Sequence, residues 1–299
     1  MSAGANCRYF ERMLKLMGES MVGDFSCEFF RTRWVDQLED TNGFNVMVYQ
    51  TFPDEKKVFK FKPHLIEKAD KKFLEFNGLK ILFDSHDWPE ENGYERFGMQ
   101  YPRIKHIPGV KYKEKFDVIL AIPHDLSGRK QHEPPLEVKR NVMIHCAFSI
   151  GCYPHKIRED ILDILKAEYS DKTSFQRVSI HRYERFLRSV KITVTADGFG
   201  PSAANVQTLH AGTLLFVHEH AIHNIQILPH TNLVDGEDYV SFNFENFRDK
   251  LNWLISDSDA VDRIRLSGQR KFFDGFDYQK SANQFYDYLR GRILCYQMI

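Results

Sequence analysis

The sequence has little that would staple, anchor or charge it. Five cysteines occur in 299 residues, at positions 7, 27, 146, 152 and 295, and no two form a C-x-x-C pair. An odd, scattered set argues against a disulfide framework and against a cysteine zinc site, and favours a reducing compartment. There is no run of 18 apolar residues, so no membrane span is expected. The first segment, MSAGANCRYFERMLKLMG, lacks the apolar core of a signal peptide, and a cytoplasmic location is expected. Net charge is missing too: 41 basic residues balance 41 acidic ones. That leaves no footprint of a nucleic-acid partner. Both familiar phosphate-loop signatures are incomplete. The Gly198-Phe199-Gly200 turn has no third glycine at the dinucleotide offset and no Gly-Lys-Ser/Thr after it.

What is present is a globular composition, 42% hydrophobic and 27% charged, over a length that suits one large or two ordinary domains. Short apolar runs alternate with amphipathic segments. FNVMVYQTF (44–52), LKILFD (79–84) and FDVILAIP (116–123) read as strands, and MLKLM (13–17) as strand or helix. CEFFRTRWVDQLED and HLIEKADKKFLEFNG read as helices, the second with Leu65, Ala69, Phe73 and Phe76 on one side. The polar segment 124–140, with Pro134-Pro135, is the candidate linker.

After it the pattern restarts. NVMIHCAFS (141–149) is a strand, HKIREDILDILKAEY a helix, 176–180 a strand, RYERFLRS a helix and VKITVTA a strand. GTLLFV and DYVSF follow as strands, then a helical C-terminal region. This alternation predicts α/β architecture with parallel sheets covered by helices, in an N-terminal domain at 1–135 and a second domain at 136–299.

The segment TVTADGFGPSAANVQTLHAGTLLFVHEH (193–220) carries the chemistry. Ligands of parallel α/β domains bind beyond the carboxyl ends of strands, where this loop lies. Gly198 and Gly200 allow close backbone approach, and Pro201 suits a first helical position. The N–H groups of Ser202 and Ala203 would then point out of a helix start, which favours a phosphate. On that helix Ala203, Val206, Leu209 and His210 share a face, with Asn205 and Gln207 flanking it on opposite sides. Without a ligand the same stretch is an ordinary strand-to-helix turn. His218, Glu219, His220 and His223 invite a metal reading, but a solvated helix start is the expectation there.

Over roughly residues 141–290 the chain resembles the donor half of GT-B glycosyltransferases, of both the family-1 and exostosin types. Several pieces agree in order: the strand entry RSVK, the loop ADGFG, a small helix, Ala211-Gly212 and a strand, LVDGEDYVSF, and ENFRDKLNWLISDSD. The resemblance implies two Rossmann-like domains with parallel sheets facing across a cleft, the last helix crossing back to the N-terminal domain. It implies transfer of a sugar from a nucleotide-sugar, expected to be a UDP-sugar, to a glycan or other hydroxyl acceptor, with no metal or other cofactor. It also implies site residues. A basic residue at Lys156 or Arg158 would neutralise the donor diphosphate, and Val178 to Arg182 would line the nucleobase. Asp197 fills the acid slot of the glycine loop, and Glu219 would contact the sugar. The chain departs from the family at Asn205 and Gln207, where relatives place an acid, or an Arg with an acid, toward the ribose. Its loop-to-glycine spacing is also longer than the family-1 pattern.

Inverting transfer needs a base for the acceptor hydroxyl. LKILFD delivers DSHDWPEENGYERFG, so Asp84, His86 and Asp87 are candidates, with Asp24 in the first loop as another. Trp88 and Tyr94 are candidates for stacking on a sugar ring. Two other functions fit the same anion loop: a sugar-phosphate enzyme of α/β fold, and a non-catalytic carbohydrate- or nucleotide-binding relative.

Overall fold

The β-forming segment at 44–52 yields a strand, β1 (Val46–Thr51), and the clearest apolar run yields β2 (Leu79–Asp84). Between them α1 (Pro63–Glu75) opens on proline, where no helical N–H is lost. Its Ala69 and Phe73, with Phe76 just beyond, are buried at helical spacing, and Lys80 Nζ donates to Leu74 O beyond its end. β2 pairs in parallel with β1 on one side and with β3 (Arg103–Lys105) on the other. The computed structural model describes residues 46–51, 63–84, 103–105, 139–147, 155–196, 203–222, 225, 231–275, 283, 286–287 and 290–291. The expected elements at 13–17, 27–40 and 116–123, and the linker before residue 139, lie outside them.

The chain divides into two compact units, Met1–Ala121 with Tyr278–Ile299, and Ile122–Asp277. The second holds a five-stranded, all-parallel sheet in the order β5-β4-β6-β7-β8. Its strands are β4 (Val142–His145), β5 (Thr173–Ser174), β6 (Val190–Thr195), β7 (Leu214–His218) and β8 (Val240–Phe242). The helices are α2 (His155–Glu168), α3 (Ile180–Leu187), α4 (Ala203–His210), α5 (Phe247–Ser256) and α6 (Ser258–Gly275).

Alternation along the strands sorts the sheet into two faces. Ile144, Ile192, Val194, Leu214, Phe216, Val240 and Phe242 join one core with Ile161 and Leu165 of α2 and Phe247, Leu251 and Leu254 of α5. Phe216, Phe242 and Phe247 form its aromatic centre, with ring centroids 4.3–5.6 Å apart. The opposite face carries His145, Thr193, Thr195, Leu215, Val217 and Ser241, which are likewise buried. α4 packs on β6 and β7 and against α3 and α6. Burial on both faces lets β7, LLFVH, read as a nearly continuous apolar run, whereas β6, VKITVT, alternates because its second face is lined by threonines.

One expected element differs. The strand placed at 176–180 is instead the two-residue β5, and α3 starts at Ile180 after an extended Ser179. β4 is only four residues long, so its ladder is used up by Ile144↔Thr173 and His145↔Ser174. Residues 175–179 then leave the sheet.

At the amino ends of the strands a half-buried arginine closes the sheet. Arg140 donates to Val190 O (2.6 Å), Leu187 O (3.3 Å), Ala211 O (3.1 Å) and Thr213 Oγ1 (3.1 Å). Burial, helped by nearby Arg265, pushes its guanidinium down to about 10. The two terminal nitrogens of the guanidinium thus serve three carbonyls and a hydroxyl, so that end is structural.

Candidate functional site

The strand order places the site. Numbered from β4, the sheet runs 2-1-3-4-5, so the chain turns one way after β4 and the other way after β5. Open α/β sheets bind ligands in the crevice where the order reverses, outside the carboxyl ends of the flanking strands. Here those strands are β4 and β6. The connection after β4 leads to α2 with Lys156 and Arg158, and the connection after β6 is the glycine loop that leads to α4.

Arg158 reaches across this reversal. Its Nε donates to Ala196 O, the residue after β6, over 3.1 Å. Two residues almost forty positions apart, one in α2 and one at the end of β6, therefore meet at one point. Lys156 is exposed and paired with Asp160 at 2.6 Å, a contact one helical turn along α2 that holds its ammonium above the usual range. Two positions apart, the two cations leave the helix in different directions.

Asp197, Gly198, Gly200 and Ser202 lie outside the described residues; Ala203 is the first residue of α4. From Asn205 to His210 every residue of that helix is buried, Asn205 to 1% and Gln207 to 3% exposure. Thr208 Oγ1 donates back to Ala204 O at 2.6 Å. At the far end His210 Nδ1 lies 3.1 Å from Glu184 Oε1, which accepts from Arg188 Nη2 at 2.9 Å. Gly212, with φ of +64°, makes the left-handed turn that ends the helix, and Gln269 Nε2 donates to His210 O at 3.0 Å. Arg182 sits exposed in the first turn of α3, not at a strand end.

At the carboxyl end of β7 the expected helix start is a single 3-10 turn, Glu219–Ala221. His218 is buried among Phe242, Phe244 and His220. Its Nδ1 accepts from His220 N–H (3.3 Å) and lies 3.0 Å from His220 Nδ1, so the latter carries the shared hydrogen. Burial, and then His220, push His218 down to about 4. Glu219 is exposed, and its Oε2 accepts from Asn243 Nδ2 at 3.2 Å. No group of three or more metal-ligating side chains occurs among the described residues; His223 is not among them.

Of the candidate bases, Asp84 ends β2, in register with Thr51 and Lys105. Asp24, His86, Asp87, Trp88 and Tyr94 lie outside the described residues. Sequence reasoning missed Asn243. Its signal was the N-x-x-N pattern ahead of a helix, which marks local side-chain capping.

No protein-family model matches the chain, and no curated protein matches it in sequence. Solved structures do. S. aureus TarM superposes with a TM-score of 0.56 at 8% identity, over 86% of this chain and 57% of TarM. The pneumococcal O-GlcNAc transferase GtfA, solved with UDP and GlcNAc, gives 0.39 at 13% identity, over 76% of this chain and 48% of GtfA. Anabaena HepE, solved with UDP-glucose, gives 0.39 at 13% identity, over 82% of this chain and 72% of HepE. The chain thus spans little more than half the length of TarM. TarM shares its fold with most of this chain. With its parallel sheets and helical crossovers, the chain has the α/β fold of the GT-B glycosyltransferases.

Proposed function

We propose that the chain is a glycosyltransferase that takes a sugar from a nucleotide-sugar, a UDP-sugar in our reading, and passes it to a hydroxyl acceptor such as a glycan, without a metal. The observation that carries this reading is the Arg158–Ala196 bond. It brings a cation of α2 to the residue after β6, at the strand-order reversal; the glycine-rich sequence that follows and the start of α4 support a diphosphate site there, which requires positive charge, close backbone and a helix N-terminus together. The leaving UDP would be stabilised by Lys156 or Arg158 and by the start of α4 rather than by protonation. Glu219 would accept a hydrogen bond from the donor sugar. Asp24, Asp84, His86 and Asp87 remain the candidate bases for the acceptor hydroxyl. GtfA and HepE were solved with UDP and with UDP-glucose, which supports uridine as the base to test first.

A specific observation favours a second reading, a non-catalytic nucleotide- or carbohydrate-binding relative. From Ala203 to Leu209 α4 has no charged residue, and both of its amides, Asn205 and Gln207, are buried. Incubation with UDP-glucose or UDP-GlcNAc in EDTA, followed by phosphorus NMR, separates the two. Release of UDP supports the transferase, hydrolysis standing in for transfer. Binding of the nucleotide-sugar without turnover, with or without glycan acceptors, supports the binding relative and rejects the enzyme.

A further inference from the structure

Glu219 is held from two sides. Its backbone opens the 3-10 turn whose His220 N–H is capped by the buried His218 ring. Its carboxylate Oε2 accepts from Asn243 Nδ2 over 3.2 Å. Asn243 in turn has little freedom. Its Oδ1 accepts from the N–H groups of Glu245 and Asn246, both at 3.1 Å, and its own N–H donates to Asn246 Oδ1 at 2.9 Å. With the amide oxygen committed to two backbone donors, Nδ2 is the group left to face Glu219. The pair is also fixed by the sheet. β7 and β8 are parallel neighbours with His218 opposite Phe242, and Glu219 and Asn243 are the residues that follow that register pair. Oε1 of Glu219 makes no hydrogen bond to any described residue, and the side chain is exposed beyond the strand ends.

We propose that Asn243 is a positioning residue for the sugar half of the donor site. It holds one oxygen of the Glu219 carboxylate, so the other is presented in a fixed direction to a hydroxyl of the donor sugar. This inference rests on the donor reading above and adds the residue that aims Glu219. It also gives a specificity: a carboxylate with one oxygen committed favours a donor sugar carrying a free hydroxyl at that point, since an analogue lacking the hydroxyl leaves the acceptor unpaired.

Calorimetric titration of UDP, UDP-glucose and UDP-GlcNAc into the wild type, Asn243→Asp, Glu219→Gln and the double variant tests this. Asn243→Asp keeps an oxygen for Glu245 and Asn246 N–H but sets a second acceptor against the Glu219 carboxylate. UDP-sugar affinity is expected to fall about tenfold, with UDP affinity and melting temperature unchanged. In the double variant the introduced amide at 219 donates to the introduced carboxylate at 243 and keeps its own oxygen for the sugar, so part of the affinity returns. Equal losses for UDP and UDP-sugars in Asn243→Asp overturn the inference. So does wild-type UDP-sugar affinity in Asn243→Asp or in Glu219→Gln. In each of these cases the donor reading stands. A wild type that binds no UDP-sugar overturns both.

Discussion

Arg158 Nε and the carbonyl oxygen of Ala196 are 3.1 Å apart, and the bond between them crosses the point where the strand order of the sheet reverses. Arg158 holds the carbonyl through Nε, and a planar guanidinium suits bidentate pairing with an anion. Lysine is a point charge on a flexible stem and lacks that planar fork. Arg158→Lys is therefore expected to weaken UDP binding about tenfold although the charge is kept. Calorimetric titration reads it. Lys156→Met is the comparison: its partner Asp160 is an exposed i,i+4 contact, so melting temperature should not change.

The turn before β8 is organised around Asp238, which is buried and accepts from Val234 N (2.8 Å), Ser267 Oγ (2.6 Å) and Lys271 Nζ (2.6 Å). Asp238→Ala removes the anchor between this turn and α6 and strands a cation and two donors. A loss of about 3 kcal/mol is expected, read by urea unfolding. Lys271→Met should cost less, because Lys271 is partly exposed and two of the three bonds to Asp238 survive.

Two glycines give contrasting tests of packing. A Cβ on Gly268 of α6 would sit 2.1 Å from Asp238 O, a backbone atom that cannot step aside. Gly268→Ala should cost about 3 kcal/mol or more. At Gly212 the obstacle is the Gln269 side chain at 2.7 Å, which can move, and the φ of +64°, which costs a non-glycine residue about 1–2 kcal/mol. Gly212→Asn, which tolerates the left-handed region, should lose less than Gly212→Val. Melting curves of the three variants order them.

These packing features show what the sequence could and could not reveal. β2, α1, α2 and β6 were legible because the period of apolar residues is set locally: Ala69, Phe73 and Phe76 recur at helical spacing, and Ile161 and Leu165 do the same. The end of α4 was legible because only glycine sits easily at the φ of Gly212. The two-residue β5 was not, since Phe175 to Ile180 has strand-forming residues and nothing local reveals that β4 is too short to pair with them. The meeting of Arg158 with Ala196 could be expected only through strand order, which periodicity does not encode. Glu219 was singled out from the resemblance, but Asn243 was not, because their contact joins two strands 24 residues apart.

Two buried histidines give the stability a pH dependence. Burial lowers His145 below its ordinary value of 6.5, against the opposing bond to Ser174 O, and lowers His218 to about 4. In both, the native protein resists a proton that the unfolded chain accepts. As pH falls through 6.5 toward 5, the unfolded state binds more protons and stability drops. The slope is at most about 1.4 kcal/mol per pH unit for each group. Urea unfolding at pH 7.0 and 5.5 should show the native state losing stability. His218→Phe, placed beside Phe242 and Phe244, should flatten that slope.

The central claim is that the carboxyl ends of β4 and β6 hold a nucleoside diphosphate. Thermal unfolding in EDTA with uridine, UMP, UDP and GDP tests it most directly. A ligand at about 100 times its dissociation constant adds about 2.7 kcal/mol, a rise of several degrees in a chain of this size. UDP should raise the melting temperature by that much, UMP less and uridine hardly at all, with Arg158→Lys reducing the UDP shift. No shift with either nucleoside diphosphate at millimolar concentration would contradict it.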